Sequence, residues 1–135
     1  MRSALAAFTL ALIAPLVAIA DDAPAPTLED LRGQSRVAVV FADTPDDPRF
    51  VQQIRWLDAE PEPLEDRRVV VLTDTDPEAK GPLRQRLRPS GFGLVLIDID
   101  GAIAQRRPMP TSVRELVNFI DRMPSRRLET GSFRP

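Results

Sequence analysis

Three runs along the chain are almost wholly apolar, and each ends in a polar turn. Arg36-Val37-Ala38-Val39-Val40-Phe41 leads into Ala42-Asp43-Thr44-Pro45-Asp46-Asp47-Pro48; Arg68-Val69-Val70-Val71-Leu72 leads into Asp74-Thr75-Asp76-Pro77; Gly91-Phe92-Gly93-Leu94-Val95-Leu96-Ile97 leads into Asp98-Ile99-Asp100-Gly101. Continuous apolar runs bounded by turn residues predict strands buried on both faces. After the first run, Asp47 suits an N-cap and Pro48 the first helical position, where a missing N–H costs nothing. Phe50, Ile54 and Leu57, with Val51 beside them, then share one helical face to about Asp58. Trp56 lies off that stripe, as expected of a partly buried rim residue. Glu60-Pro61-Glu62-Pro63 reads as a crossing loop, because proline breaks a helix interior.

The second half follows the same grammar. Gly81-Pro82 opens a short helix that turns Leu83 and Leu87 inward and Arg84, Arg86 and Arg88 toward water. Asp100-Gly101 between apolar runs signals a hairpin, so Ala102 to Arg106 is predicted as a fourth, antiparallel strand. Ser112 with Glu115 fits a capping box for a helix whose stripe is Val113, Leu116, Val117, Ile120 and Met123, closed by Pro124. From Ser125 the sequence has no periodicity and reads as a tail over 125–135. Strand, helix, strand is a parallel, right-handed βαβ unit. With the hairpin it predicts an α/β domain over 35–124: a four-stranded mixed sheet flanked by helices.

Composition changes the picture mainly by exclusion. The 135 residues include no cysteine and no histidine, which removes thiol redox chemistry and the usual zinc and copper ligands. No disulfide supports the core. A formal charge of −2 without a basic block argues against nucleic acid, whose binding rests on Lys and Arg neutralising phosphates. The N-terminus reads as a secretory signal over 1–20. Met1-Arg2 is a minimal basic region, Ala4 to Ile19 is weakly polar to apolar, and Ala18-Ile19-Ala20 fits cleavage before Asp21. The run is shorter than the roughly 20 residues a membrane span needs, and Pro15 interrupts it. The expectation is cleavage after Ala20 and a periplasmic or secreted chain without a membrane span, with a Pro/Ala-rich leader over 21–34 that docks through Leu28 and Leu31.

Parallel pairing of the first two strands places both acidic turns at one edge of the sheet. The candidate surface is Asp43, Thr44, Asp46, Asp47, Asp74, Asp76, Ser90 and Phe92, with Asp98 and Asp100 at the opposite edge. Converging carboxylates suit a hard cation such as Ca²⁺, which takes several oxygen ligands, but the spacing matches no EF-hand loop. The plainer reading has Asp47 and Asp76 capping helices and the others solvating turns. A carboxylate-dependent hydrolase is the remaining alternative. Serine catalysis lacks both a histidine and a Gly-x-Ser-x-Gly elbow, and no glycine-rich phosphate loop is present. No catalytic residue, cofactor or metal ligand is assigned.

Four stretches carry a family resemblance: RVAVVFADTPDDPRF at Arg36 to Phe50, RRVVVL at Arg67 to Leu72, GFGLVLIDIDG at Gly91 to Gly101 and LVNFIDRMPSRRLE at Leu116 to Glu129. In these the chain resembles the bacterial DUF4174 domain family. That resemblance implies a thioredoxin-like fold and export, and no activity, since the family's function is unknown. Redox thioredoxins place Cys-x-x-Cys after the first core strand, with a cis-proline opening the next hairpin. Here the corresponding loop is Asp43 to Pro48, and the nearby Pro89 falls earlier than the cis-proline position. Thiol–disulfide exchange and peroxidase chemistry need a thiolate, and this chain has none to supply. The expectation is a non-catalytic binding or accessory module that meets a protein or peptide at the acidic loop edge.

Overall fold

The computed structural model describes residues 24–131. The expected signal sequence and its cleavage site lie outside the described residues. Ten elements follow in order: α1 (Leu28–Leu31), β1 (Arg36–Phe41), α2 (Pro48–Ala59), α3 (Pro61–Asp66), β2 (Val69–Asp74), α4 (Pro82–Leu87), β3 (Gly93–Ile97), β4 (Ile103–Arg107), α5 (Val113–Asp121) and α6 (Pro124–Thr130). The strands form one mixed sheet in the order β2-β1-β3-β4. β1 runs parallel to β2 and antiparallel to β3, and β3 pairs antiparallel with β4. The βαβ unit and the hairpin are both present as the apolar runs predict. β2 begins one residue later than expected because Arg68 sits at φ +53°, outside extended backbone.

Alternation along the central strand sorts the core into two layers. Ala38 and Val40 face Phe50, Ile54 and Leu57 of α2, Leu64 of α3, and Val113, Leu116 and Ile120 of α5. Val37, Val39 and Phe41 face Leu87 and Leu83 of α4 and Leu28 and Leu31 of α1, so the leader does dock through its two leucines. Every residue of β1 is buried, as a strand covered on both faces requires. Trp56 stays at the rim, 36% exposed.

Two segments read as irregular are helical, for one shared reason. In the first turn of a helix the N–H groups have no intrahelical partner, so proline is tolerated there. Pro61 and Pro63 both fall in the first turn of α3, and Leu64 then drops into the core. The predicted crossing loop reduces to a break at Glu60. Likewise Pro124 starts α6 instead of only closing α5, and Gly131 ends α6 at φ +66°.

α6 buries no apolar residue, and Leu128 is 70% exposed. Charge holds it instead. Arg36, at the start of β1, is 0% exposed. Its Nη2 donates to Glu129 Oε1 at 2.9 Å and to Ser125 Oγ at 2.9 Å, and its Nη1 donates to the Arg67 carbonyl at 2.9 Å. Ser125 Oγ donates in turn to Asp98 Oδ1 at 2.8 Å. Glu129 also accepts from Arg68 Nη2 at 2.8 Å and Arg126 Nη1 at 3.0 Å. Burial pushes the Glu129 carboxyl up, but the bonds from Arg36, Arg126 and Arg68 outweigh it and bring the pKa down to about 2. The segment expected as a tail therefore closes the lower end of the sheet.

A second buried polar contact ties α2 to the approach to α5. Gln53 is 0% exposed on the inner face of α2. Its Nε2 donates to the Thr111 carbonyl at 2.9 Å, and its Oε1 accepts from the Thr111 N–H at 2.8 Å. Both backbone groups of a buried residue are thereby satisfied by one side-chain amide.

Candidate functional site

Register fixes where the acidic turns go. Phe41 at the end of β1 lies opposite Asp74 on β2 and Gly93 on β3. The loops that follow β1 and β2 and the one that precedes β3 therefore share the upper end of the sheet, as the strand directions require. The structure brings Asp43, Thr44, Asp46, Asp47, Asp74, Asp76, Ser90 and Phe92 to that end. Asp98 lies at the other end, in ion-pair range of Arg36 at 3.3 Å.

Two arginines organise the edge. Arg84, expected to face water, folds back from α4: its Nε donates to Asp74 Oδ1 at 2.8 Å and its Nη2 to the Ala42 carbonyl at 2.7 Å. The same guanidinium lies 5.5 Å from the centroid of the Phe41 ring, an attractive placement of a cation on a π face. It thus fastens the turn after β1 to the end of β2, with only 10% of its side chain exposed. Only one side of so short a helix needs to be apolar, but the carboxylate at Asp74 and the carbonyl of Ala42 draw this polar side inward.

Arg49, in the first turn of α2, makes a two-point ion pair with Asp47 at 3.1 and 2.9 Å and lies 5.5 Å from the centroid of the buried Phe92 ring. Asp47 Oδ1 also accepts from the Arg49 N–H at 2.9 Å, the expected N-cap. The Arg49 hydrogen bond holds the Asp47 carboxyl below its ordinary value, which is the opposite of what a general acid needs. Neither arginine stood out in the sequence. A signal was available for Arg49, which follows its carboxylate partner by two residues, whereas Arg84 stands beside Gln85 and Arg86 and nothing in that run sets it apart.

The remaining polar groups serve their own turns. Thr44 Oγ1 accepts from the Asp46 N–H at 3.1 Å, Asp74 Oδ1 from the Asp76 N–H at 3.1 Å, and Asp76 Oδ1 from the Ala79 N–H at 3.3 Å. Asp76 thus caps a turn and not a helix, since α4 is capped at Gly81 without a side-chain bond. Asp43, Asp46 and Ser90 are exposed.

Among the described residues no three acidic side chains come together in a way that could hold a metal ion; Asp47 and Asp74 have turned to arginines instead. An open cleft of about 590 Å³ lies away from this edge, between α1 and α4, and Glu29 is the one carboxylate in its lining. Among the described residues no helix is long and apolar enough to cross a membrane.

Comparison with solved structures agrees with the topology. A reduced 2-Cys peroxiredoxin from Plasmodium vivax superposes with a TM-score of 0.59 at 15% identity, covering 78% of this chain and 85% of that one. The Prx1a protein of Plasmodium yoelii gives 0.57 at 18% identity, covering 80% and 83%. Thioredoxin-2 of a malaria parasite gives 0.51 at 14% identity, covering 66% and 84%. Identities this low establish the fold, which is thioredoxin-like, and nothing of the chemistry. No curated protein matches the sequence. The match that extends over most of the chain is to the family described as a domain of unknown function, DUF4174, across residues 27–129; with the sheet order and helix placement above, the chain belongs to the DUF4174 family.

Proposed function

We propose that this chain is an exported, non-catalytic binding module that receives a protein or peptide partner at the upper loop edge. The observation that carries the reading is the pre-organisation of that edge. Arg84 pins the Ala42 turn to β2 and Arg49 anchors the start of α2 over Phe92, while Asp43, Thr44 and Asp46 stay exposed above them. A surface whose backbone is already held loses little entropy on binding. Exposed carboxylates on such a frame suit a partner segment with basic or hydrogen-bond-donating groups. The absence of cysteine leaves recognition, and not electron exchange, as the use of this edge, and thioredoxin-type edges accept extended segments through backbone pairing that needs no thiol.

Converting Asp46 and Asp47 together to asparagine tests this. Asparagine caps a helix as well as aspartate does, so melting temperature should move little. Capture of the partner, measured by cross-linking in the exported fraction, should fall by about tenfold or more, as loss of charge complementarity predicts. Equal loss of capture and of stability would assign these aspartates to the helix start alone.

A further inference from the structure

α6 is attached to the body through one polar face. Ser125, Arg126 and Glu129 recur at the spacing that sets residues on one side of a helix, and each of the three reaches a partner outside α6. Ser125 Oγ meets Asp98 and Arg36, Arg126 Nη1 donates to the Asp66 carbonyl at 3.1 Å, and Glu129 accepts from Arg36 and Arg68. Arg127 and Leu128 are exposed. α1 is shorter still but docks Leu28 and Leu31 on the core, whereas neither core layer includes a residue of α6.

The joint before α6 is fixed on one side and free on the other. Met123, the N-cap, is buried in the core, and its N–H closes the last turn of α5 on the Ile120 carbonyl at 2.9 Å. Pro124 follows and has no N–H with which to continue that ladder. The body also keeps partners for Arg36 without α6: the Arg67 carbonyl at 2.9 Å and Asp98 at 3.3 Å both come from outside the helix, and water reaches the guanidinium once its cover is gone. Arg67 stays with Asp121 of α5 at 2.8 Å. A helix of seven residues is too short to hold its own hydrogen bonds in water, so undocking and unwinding of α6 are one event.

We propose that α6 is an ionic strap, which releases from Pro124 onward as one unit while the sheet and the other helices stay folded, with Glu129 as its catch. Segments that open below the free energy of global unfolding are those with few buried apolar contacts, and α6 is held by none. Glu129 is the catch because it gathers Arg36 and Arg68 of the body and Arg126 of its own helix onto one carboxylate. Release turns Arg36 to water and uncovers the lower end of the sheet. The acidic loops lie at the opposite end, so no partner at the upper edge is needed for it.

Amide exchange and limited trypsin digestion of the full chain read the open form directly. Protection of the amides from Arg126 to Gly131 should be lower than that of β1 by about tenfold or more, and little changed by dilute denaturant, since a small opening exposes little surface. Trypsin should cut first after Arg126 or Arg127, which it reaches only in the unwound segment. Glu129→Gln keeps the shape of the side chain and removes its charge. It should speed exchange and cleavage by about tenfold or more, equally at Arg126 and at Thr130, with β1 still the better protected. Leu128→Ala, on the exposed side, should leave both rates within about two- to threefold. Should Glu129→Gln not fold, Arg68→Gln takes a smaller share from the same catch and should act in the same direction. Amides of α6 that exchange together with β1 and share its denaturant dependence overturn the proposal. So does a Glu129→Gln effect that is absent or confined to the last turn of α6, which is fraying of a helix end.

Discussion

Replacing Glu129 by alanine is expected to lower stability by about 3 kcal/mol, because removing one partner of a buried pair leaves the other charge uncompensated. For a domain of this size that is a fall in melting temperature on the order of 10 °C. Arg36 has no exposed surface from which to reach water, and Glu129 supplies two of its acceptors. Asp98 and Ser125 remain beside it, which keeps the loss at the lower end of the range for a broken buried pair. Thermal melts of the variant and the unsubstituted chain measure it; a shift of a degree or two would mean that Arg36 is satisfied without α6.

The same carboxylate makes a pH dependence. Its folded pKa of about 2 lies below the ordinary 4.5, so the folded state favours the ionised form. The stabilisation it gives is complete above about 4.5 and is lost as pH falls through that value toward 2. Glu129→Gln should therefore be less stable than the unsubstituted chain at pH 7, with the two melting curves converging between pH 4.5 and 2. A difference that stays constant across that interval would locate the effect in packing and not in charge.

The second large effect is expected at Gln53. Gln53→Leu keeps the apolar bulk of the helix face but strands the N–H and C=O of Thr111, which is itself buried. An unsatisfied buried backbone group costs about 1–3 kcal/mol, so the pair should cost about 2–4 kcal/mol. Gln53→Glu should be comparably damaging, because a carboxylate accepts from the Thr111 N–H but repels its carbonyl. Denaturant midpoints at neutral pH check both. A stable Gln53→Leu would show that the segment before α5 finds other partners when the amide is removed.

These two effects mark where the sequence could be read and where it could not. Apolar periodicity exposed β1, β3, α2 and α5, whose stability comes from burying a face, and the Asp100-Gly101 turn exposed the hairpin. It missed α6 because that helix is held by Glu129 and Ser125 on a buried arginine and contributes no apolar stripe. It missed α3 because Pro61 and Pro63 act as breakers everywhere except in a first helical turn. The same limit applied at the upper edge. Sequence order placed Asp43, Asp47 and Asp74 together, but nothing in it said that Arg49 and Arg84 would turn inward and take up Asp47 and Asp74 before any cation could. Periodicity reports burial of carbon. Long-range pairing of charges leaves no period along the chain.

The acidic loops and the Arg36 network lie at opposite ends of β1, so recognition and stability are expected to separate. A photo-reactive cross-linker placed in turn at Thr44, Asp46 and Asp100 tests that separation in cells that make the full chain. Discrete adducts of the same size should form from positions 44 and 46 and be absent from position 100, with all three variants melting together. Adducts equally strong from position 100, or none from 44 and 46, would contradict the proposal that the upper edge is the binding surface.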